Sequence, residues 1–307
     1  MKRRRGGNGV DVGPGLPSPP DAPTPERVLA GLDTALFRQL VYLPETGSTN
    51  DVVRAEARAG APEGLVVIAD RQTAGRGRRG RAWDSPAGLG LWFSVLLRPT
   101  VPPRQAPLLA LMAAAAVRDA VAATAGVPVL VKWPNDVVSQ DGRKLSGILV
   151  EMEADGDFIR HCVVGIGVNV NQALEDFPPE VRETATSLGL LAGGPVARVP
   201  LLQAILAGLE ARYRRVLADG FGAVLDEVRR HSATLGRDVQ VVETGGQAWD
   251  GRAVAILDDG ALLVEPAGGG EARRVYAADV SIRETNAPTR EADASFRAPG
   301  GGRATSR

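Results

Sequence analysis

Residues 75–83 read Gly75-Arg76-Gly77-Arg78-Arg79-Gly80-Arg81-Ala82-Trp83. Formally this contains G-x-G-x-x-G, the fingerprint of a dinucleotide-binding strand–turn–helix unit. The context argues against that fold. The continuation Arg81-Ala82-Trp83-Asp84-Ser85-Pro86 has no helical periodicity, and no acidic residue stands where a ribose partner would be needed, about 20 positions on. The segment makes better physical sense as an anion clamp. Glycines let a backbone approach a ligand and expose N–H groups, and guanidinium groups make bidentate contacts to phosphate or carboxylate. A basic loop without a ligand and an arginine–glycine segment for RNA remain open on local composition alone.

Outward from this loop, strand and helix patterns alternate. Helical apolar spacing runs over 25–37 and strand patterns over 40–43, 65–69, 91–97 and 127–132. Ser48-Thr49-Asn50-Asp51 is a capping sequence for a helix reaching Ala59. A long alanine-rich helix is expected over 104–124. Strands over 144–153 and 158–170 flank the hairpin signal Ala154-Asp155-Gly156-Asp157, and helices follow over 201–217 and 221–230. After Gly236 the texture changes to short strands at 239–242, 249–257, 261–265 and 273–276, separated by glycine-rich turns. The reading is an α/β domain over 24–233 and a small β domain over 234–284, with Gly/Pro-rich disordered tails at 1–23 and 285–307. The basic tetrad Lys2-Arg3-Arg4-Arg5 is read as a solvated end.

The bulk numbers exclude several function classes. Lys+Arg and Asp+Glu both number 36, so no global basic field exists for non-specific nucleic-acid binding. Aromatic residues are only 4 %, too few for base-stacking platforms. Cys162 is the single cysteine and His161 and His231 the only histidines, which excludes a disulfide framework and argues against a zinc centre or a Ser-His-Asp triad. The longest apolar run, 106–117, ends at Arg118 and Asp119, so no membrane span is expected. The N-terminus lacks the apolar region of a signal peptide, and a cytoplasmic location is the expectation.

Three further clusters carry chemistry. Lys132-Trp133-Pro134-Asn135-Asp136 closes a strand, where ligands of α/β sheets bind, though it also fits a plain strand-to-turn junction. In Gly142-Arg143-Lys144-Leu145-Ser146-Gly147-Ile148-Leu149-Val150-Glu151, Lys144 opens a buried strand, a position that also suits a plain solvated edge charge. Gly165-Ile166-Gly167-Val168-Asn169-Val170-Asn171 places two glycines inside a strand, which marks close approach of another group or a bulge. Cations converge and no side chain stands out as a nucleophile. That suits adenylation, in which a substrate carboxylate attacks an α-phosphate while the protein positions two anions and spreads their charge.

Together with Gly47-Ser48-Thr49-Asn50 and Gln72-Thr73, these clusters, in this order and spacing, resemble the biotin–protein ligase family over about residues 40–283. The resemblance implies a mixed sheet flanked by helices, of the class II aminoacyl-tRNA-synthetase-like biotin–lipoate ligase fold, with a small C-terminal SH3-like β-barrel. It implies an ATP-dependent ligase that makes biotinyl-5'-AMP and transfers biotin to a lysine of a biotin carboxyl carrier domain, with Mg2+. Lys144 and Arg78 take the catalytic roles. Ser48, Thr49, Asn50, Gln72, Gly75, Arg76, Arg78, Trp83, Lys144, Gly147, Gly165 and Gly167 are implied at biotin. Arg78, Arg81, Trp83, Lys132, Asn135, Asp136 and Asn169 are implied at the nucleotide, with Asp136 orienting phosphates or Mg2+. With only about 40 residues before the catalytic domain, the short form without a DNA-binding domain is expected. Homodimers occur in the family. A lipoate ligase, which shares the fold, and a non-catalytic biotin sensor are the rival readings; Trp83 after the arginine loop and the small β domain favour biotin over lipoate. The segment 172–188, with Phe177-Pro178-Pro179-Glu180, lies where the adenine-covering loop of the family varies, and adenine contacts are not assigned.

Overall fold

The computed structural model describes residues 21–243, 247–276 and 280–284. The tails expected at 1–23 and 285–307 lie outside the described residues except for 21–23. In chain order the elements are α1 (Pro25–Ala30), β1 (Gln39–Thr46), α2 (Thr49–Arg58), β2 (Leu65–Gln72), β3 (Gly90–Leu97), α3 (Leu108–Ala125), β4 (Val129–Lys132), β5 (Asp136–Ser139), β6 (Lys144–Asp155), β7 (Phe158–Asn169), α4 (Leu188–Ala192), α5 (Arg198–Asp219) and α6 (Gly222–Arg230). The C-terminal strands are β8 (Asp238–Glu243), β9 (Ala248–Ile256), β10 (Leu262–Pro266), β11 (Arg273–Val275) and β12 (Val280–Glu284).

Strands β1 to β7 form one mixed sheet in the order β1-β2-β3-β7-β6-β5-β4, parallel only between β1 and β2. Its two faces are covered unequally, and the period-2 alternation of the strands shows how. Val66 and Ile68 of β2 and Leu91, Phe93, Val95 and Leu97 of β3 face a large core shared with α3, α5 and α6. Leu65, Val67 and Leu96 face the other way, into a small cluster with Val53 and Ala57 of α2. The single helix α2 covers only part of that second face, and the open remainder holds the cavity described below.

Helix α3 buries twelve residues from Leu108 to Val121 and ends at Gly126 in the left-handed conformation (φ 66°), a common way to stop a helix. Contrary to the sequence expectation, the stretch Pro103–Ala125 is by length and apolarity sufficient to cross a membrane, with a mean hydropathy of 1.6. In the fold it is packed against α5, α6 and β6. Helix α1 is shorter than its apolar spacing suggests and is capped at Gly31. Strand β5 replaces part of the expected turn after Asn135, because residues 136–139 pair with both β4 and β6.

The C-terminal strands form a second sheet in the order β11-β10-β9-β8-β12. The expected SH3-like barrel is therefore corrected. The sheet is open, with β11 and β12 at opposite edges and no pairing between them among the described residues. Closure is one way for a sheet to bury its apolar side. Here Val239, Val241, Ala253, Ile256, Leu262 and Val264 instead join the same core as the large sheet. Trp133 pins the seam: its indole N–H donates to the Gly260 carbonyl at 3.0 Å and its backbone N–H to Thr234 Oγ1 at 3.0 Å.

Candidate active site

On the α2 side of the large sheet lies a cavity of ≈ 570 Å³, within the range of small-molecule sites. Its floor is made by glycines on adjacent strands. Gly147 of β6 pairs directly with Gly167 of β7, and Gly165 is opposite Leu149. A Cβ on Gly167 would lie 2.5 Å from Trp83 Nε1, and one on Gly147 would lie 3.0 Å from the same indole and 3.1 Å from Lys144 Nζ. The glycines thus let the Trp83 ring and the Lys144 side chain lie flat on the sheet. Lys144 Nζ is 5.2 Å from the Trp83 ring centroid and 2.8 Å from Asp136 Oδ1. Trp83 also packs edge-on against Trp92, centroids 6.3 Å apart.

At one end of this floor the first turn of α2 supplies buried polar groups. Ser48 occupies the N-cap position in extended conformation, yet its side chain makes no capping bond. The capping role read from the sequence is thus positional only, and the residue borders the cavity. Thr49 N–H donates to Gln72 Oε1 at 2.9 Å, and Thr49 Oγ1 is 2.7 Å from Ser94 Oγ. Ser94 Oγ donates to Asn50 Oδ1 at 2.6 Å, and Asn50 Nδ2 donates to Glu151 Oε2 at 2.6 Å. Asn50 lies directly over Gly165, where any Cβ would overlap its amide. Gly165 therefore makes room for Asn50, a more indirect task than the ligand contact implied by resemblance.

The arginine loop is a folded hairpin. Trp83 N–H donates to the Gly75 carbonyl at 2.9 Å, Gly77 N–H to the Arg81 carbonyl at 2.7 Å, and Gln72 N–H to the Ser85 carbonyl at 3.2 Å. Arg79 sits at the tip with φ 58° and donates to the Val242 carbonyl of β8 at 3.4 Å. Arg76 grips Asp51 of α2 through two bonds of 2.7 and 2.6 Å. That guanidinium holds the Asp51 carboxyl below the usual carboxylate range, against the opposing effect of burial. Arg78 reaches inward and donates to Asn135 Oδ1 at 3.1 Å; burial lowers its pKa, partly offset by Asp136.

The far end of the floor holds Lys132, Asn135 and Asp136. Asn135 is fixed by donating Nδ2 to the Ile148 carbonyl at 2.8 Å, which turns its oxygen to Arg78. Beyond them, Phe177, Pro178, Val181, Thr184 and Ala185 form an apolar wall. This wall is anchored beside the catalytic candidate: Lys144 N–H donates to the Thr184 carbonyl at 2.7 Å and Thr186 N–H to the Lys144 carbonyl at 2.9 Å. Asn169 donates to the Thr186 carbonyl at 3.0 Å and accepts from Gln172 Nε2 at 3.1 Å, so its amide also ties the wall to β7. No group of three or more His, Cys, Asp or Glu suited to a metal ion occurs among the described residues.

Every site residue read from the sequence borders this one cavity except Gly75. A Cβ at Gly75 would collide with the Trp83 carbonyl, so its glycine serves the closure of the hairpin. The sequence assigns no contact to the wall residues, although Phe177 and Pro178 stand in the segment 172–188 where the adenine-covering loop of the family varies. Nor does it assign a role to Ser94 or Glu151. Ser94 carried no motif signal; only its place opposite Gly165 in the β3–β7 register brings it to the site.

The sequence model of the biotin/lipoate A/B protein ligase family matches residues 42–169, and that of the biotin protein ligase C-terminal domain matches residues 234–283. The bifunctional ligase/repressor BirA of Bacillus subtilis is 39% identical over 253 residues, 82% of this chain and 77% of that protein. The biotin–[acetyl-CoA-carboxylase] ligase of Mycobacterium tuberculosis is 39% identical over 249 residues, 80% of this chain and 89% of its own. The structure of the biotin protein ligase from Aquifex aeolicus in complex with biotin and ATP superposes with a TM-score of 0.70 at 29% identity, covering 81% of this chain and all of that one. The chain belongs to the biotin protein ligase family and is an enzyme.

Proposed function

We propose that biotin and ATP meet over the glycine floor, with the ring of biotin at the α2 end, adenine against the wall at 177–185, and the reacting carboxylate and α-phosphate beside Lys144. The chain activates biotin with ATP and transfers it to a lysine of a carrier protein. The observation that carries the residue assignment is the position of Lys144. Its ammonium lies on the floor between the polar pocket of Thr49 and Gln72 and the phosphate-suited group of Lys132, Arg78 and Asn135.

In the first half-reaction a carboxylate oxygen of biotin attacks the α-phosphorus. A C–O–P anhydride bond forms, the Pα–O bond to the β-phosphate breaks, and pyrophosphate leaves with the electron pair. Lys144 and Arg78 hold the two anions together and take up the charge that builds on the α-phosphate oxygens. Mg2+ is typically held by one or two carboxylates plus substrate phosphates. Asp136 is the carboxylate at that end and would hold it. In the second half-reaction the lysine amine of the carrier attacks the acyl carbon, loses its proton, and AMP departs. The arginine hairpin, docked on Asp51, Asn135 and Val242, shields the anhydride from water. A biotin carboxyl carrier domain of a carboxylase is the acceptor this reading assigns. The same reading places the boundary between the catalytic and C-terminal domains at 233/234, next to the Trp133 seam.

Intact mass of a carrier domain after incubation with the protein, MgATP and either biotin or lipoate tests this reading. A gain of one biotin, with biotin only, is expected. A gain with lipoate, or with neither acid when the carrier is modified normally by another ligase, would overturn it.

A further inference from the structure

The hydrogen-bond network at the α2 end has two ends that can only accept, and these decide the direction of every hydroxyl and amide between them. At one end stands Glu151, outside the cavity lining. It accepts from Arg54 Nη2 at 2.5 Å on one oxygen and from Asn50 Nδ2 at 2.6 Å on the other. This turns the Asn50 oxygen toward Ser94, which must donate to it at 2.6 Å. Having given up its only proton, Ser94 Oγ can only accept from Thr49 Oγ1 at 2.7 Å. At the other end Ser85 Oγ donates to the Trp83 carbonyl at 3.2 Å, so it accepts from Gln72 Nε2 at 2.9 Å. That turns Gln72 Oε1 toward Thr49, whose backbone N–H it accepts at 2.9 Å.

Thr49 Oγ1 is also placed to donate to Gln72 Oε1 at 3.1 Å at the cavity, but the order of donors set by Glu151 gives its one proton to Ser94 Oγ at the shorter 2.7 Å. With the Thr49 proton committed to Ser94, both present lone pairs and together they form an acceptor pair. Thr49, Asn50 and Ser94 are all nearly inaccessible to water, at 3%, 4% and 0% exposure, so a wrong polarity here is not repaired by solvent.

We propose that Glu151 is a positioning residue for ligand selection: through Asn50 and Ser94 it makes the Thr49 hydroxyl an acceptor, so the pocket selects a ring N–H donor such as that of a cyclic urea. This rests on the assignment of the biotin ring to the α2 end. In Glu151→Gln the Arg54 guanidinium draws the new amide oxygen and leaves its NH2 facing Asn50. The Asn50 amide then turns over, Ser94 accepts from it and donates to Thr49 Oγ1, and the Thr49 hydroxyl turns its proton to Gln72 Oε1, so the pair loses acceptor capacity toward the cavity.

The test compares wild type, Glu151→Gln and Ser94→Ala in steady-state adenylation with biotin and with a cyclic carbamate analogue, in which ring oxygen replaces the N–H. Ser94→Ala breaks the same relay without touching Glu151, and the KM for ATP reports the integrity of the fold. Both variants are expected to raise the KM for biotin about tenfold, the equivalent of one hydrogen bond at ~1.4 kcal/mol per decade. The KM for ATP stays unchanged, and the preference for biotin over the carbamate collapses in Glu151→Gln. An unchanged KM for biotin with unchanged preference in both variants would overturn the role of Glu151. So would a parallel rise in the KM for both substrates, which marks general damage. Failure of the wild type to use biotin at all would instead overturn the biotin reading, so the two failures are told apart.

Discussion

The cavity floor and the arginine loop each contain three glycines, and the two sets work differently. On the floor, Gly147, Gly165 and Gly167 lie in strands, and a Cβ on any of them would press on Lys144, Asn50 or Trp83. These glycines create space for side chains held by the register of β6 and β7. In the loop, Gly80 has a positive φ of 71° with open space beside it, Gly77 has nothing closer than 3.6 Å, and only Gly75 is crowded, by the hairpin itself. The loop glycines shape a backbone, and its arginines find their places by pairing with Asp51, Asn135 and strand β8 of the second sheet. In the proposed reading the floor therefore carries the chemistry through a fixed surface. The loop adds closure through contacts that can be exchanged.

Removing the floor cation should give the largest effect. Lys144→Ala is expected to slow adenylate formation on the order of 10²–10³-fold, as for other preorganised charge stabilisers, with an unchanged circular-dichroism melt. Wild-type rates of pyrophosphate release in that variant would end the distinction drawn here. Next, Gly167→Val forces side-chain atoms into the Trp83 indole. Overpacking of this kind costs about 1–3 kcal/mol, readable as a lower urea midpoint together with weaker biotin binding. Full retention of both would show that the indole does not rest on the floor.

Loop changes should be milder. Arg76→Ala removes an ion pair with Asp51, whose side chain is 46% exposed, so the loss of stability should stay below about 1 kcal/mol. Because Arg76 lowers the Asp51 pKa in the folded state, this contribution is present above the unfolded carboxylate value of about 3.9 and fades as pH falls through the lower folded value. Urea titrations at pH 7 and at a pH below the lowered folded value of Asp51 should therefore differ between wild type and variant chiefly at the higher pH. A difference that grows in acid would contradict the pairing. The smallest effect is expected for Gly77→Ala, since ordinary van der Waals space surrounds it; biotinylation rates should match wild type, and a tenfold loss would give the loop a steric role like that of the floor.

Much of the floor was legible in the sequence because it is local. Lys144 and Gly147 lie in one strand, Gly165 and Gly167 in another, and the Ala154–Asp157 hairpin signal places the two strands side by side. The loop was legible as an anion-binding segment but not as a hairpin, because its closure depends on Gly75 meeting Trp83 eight residues on. What remained hidden depends on register and on distant partners. Ser94 is one residue of an apolar strand and gains meaning only opposite Gly165. Glu151 reads as the polar end of a buried strand until α2 is laid across it. Strand β5 was masked by the turn-forming pair Asn135-Asp136, and the open second sheet by the expectation that a small β domain must close on itself when its neighbour already covers its apolar side.

A crystal structure with a non-hydrolysable biotinyl-adenylate analogue tests the central claim most directly. The account predicts the ureido ring against Thr49 and Gln72, the phosphate within hydrogen-bonding distance of Lys144 Nζ, and adenine against Phe177 and Val181. A ligand bound in the reverse sense, or a phosphate out of reach of Lys144, would contradict it.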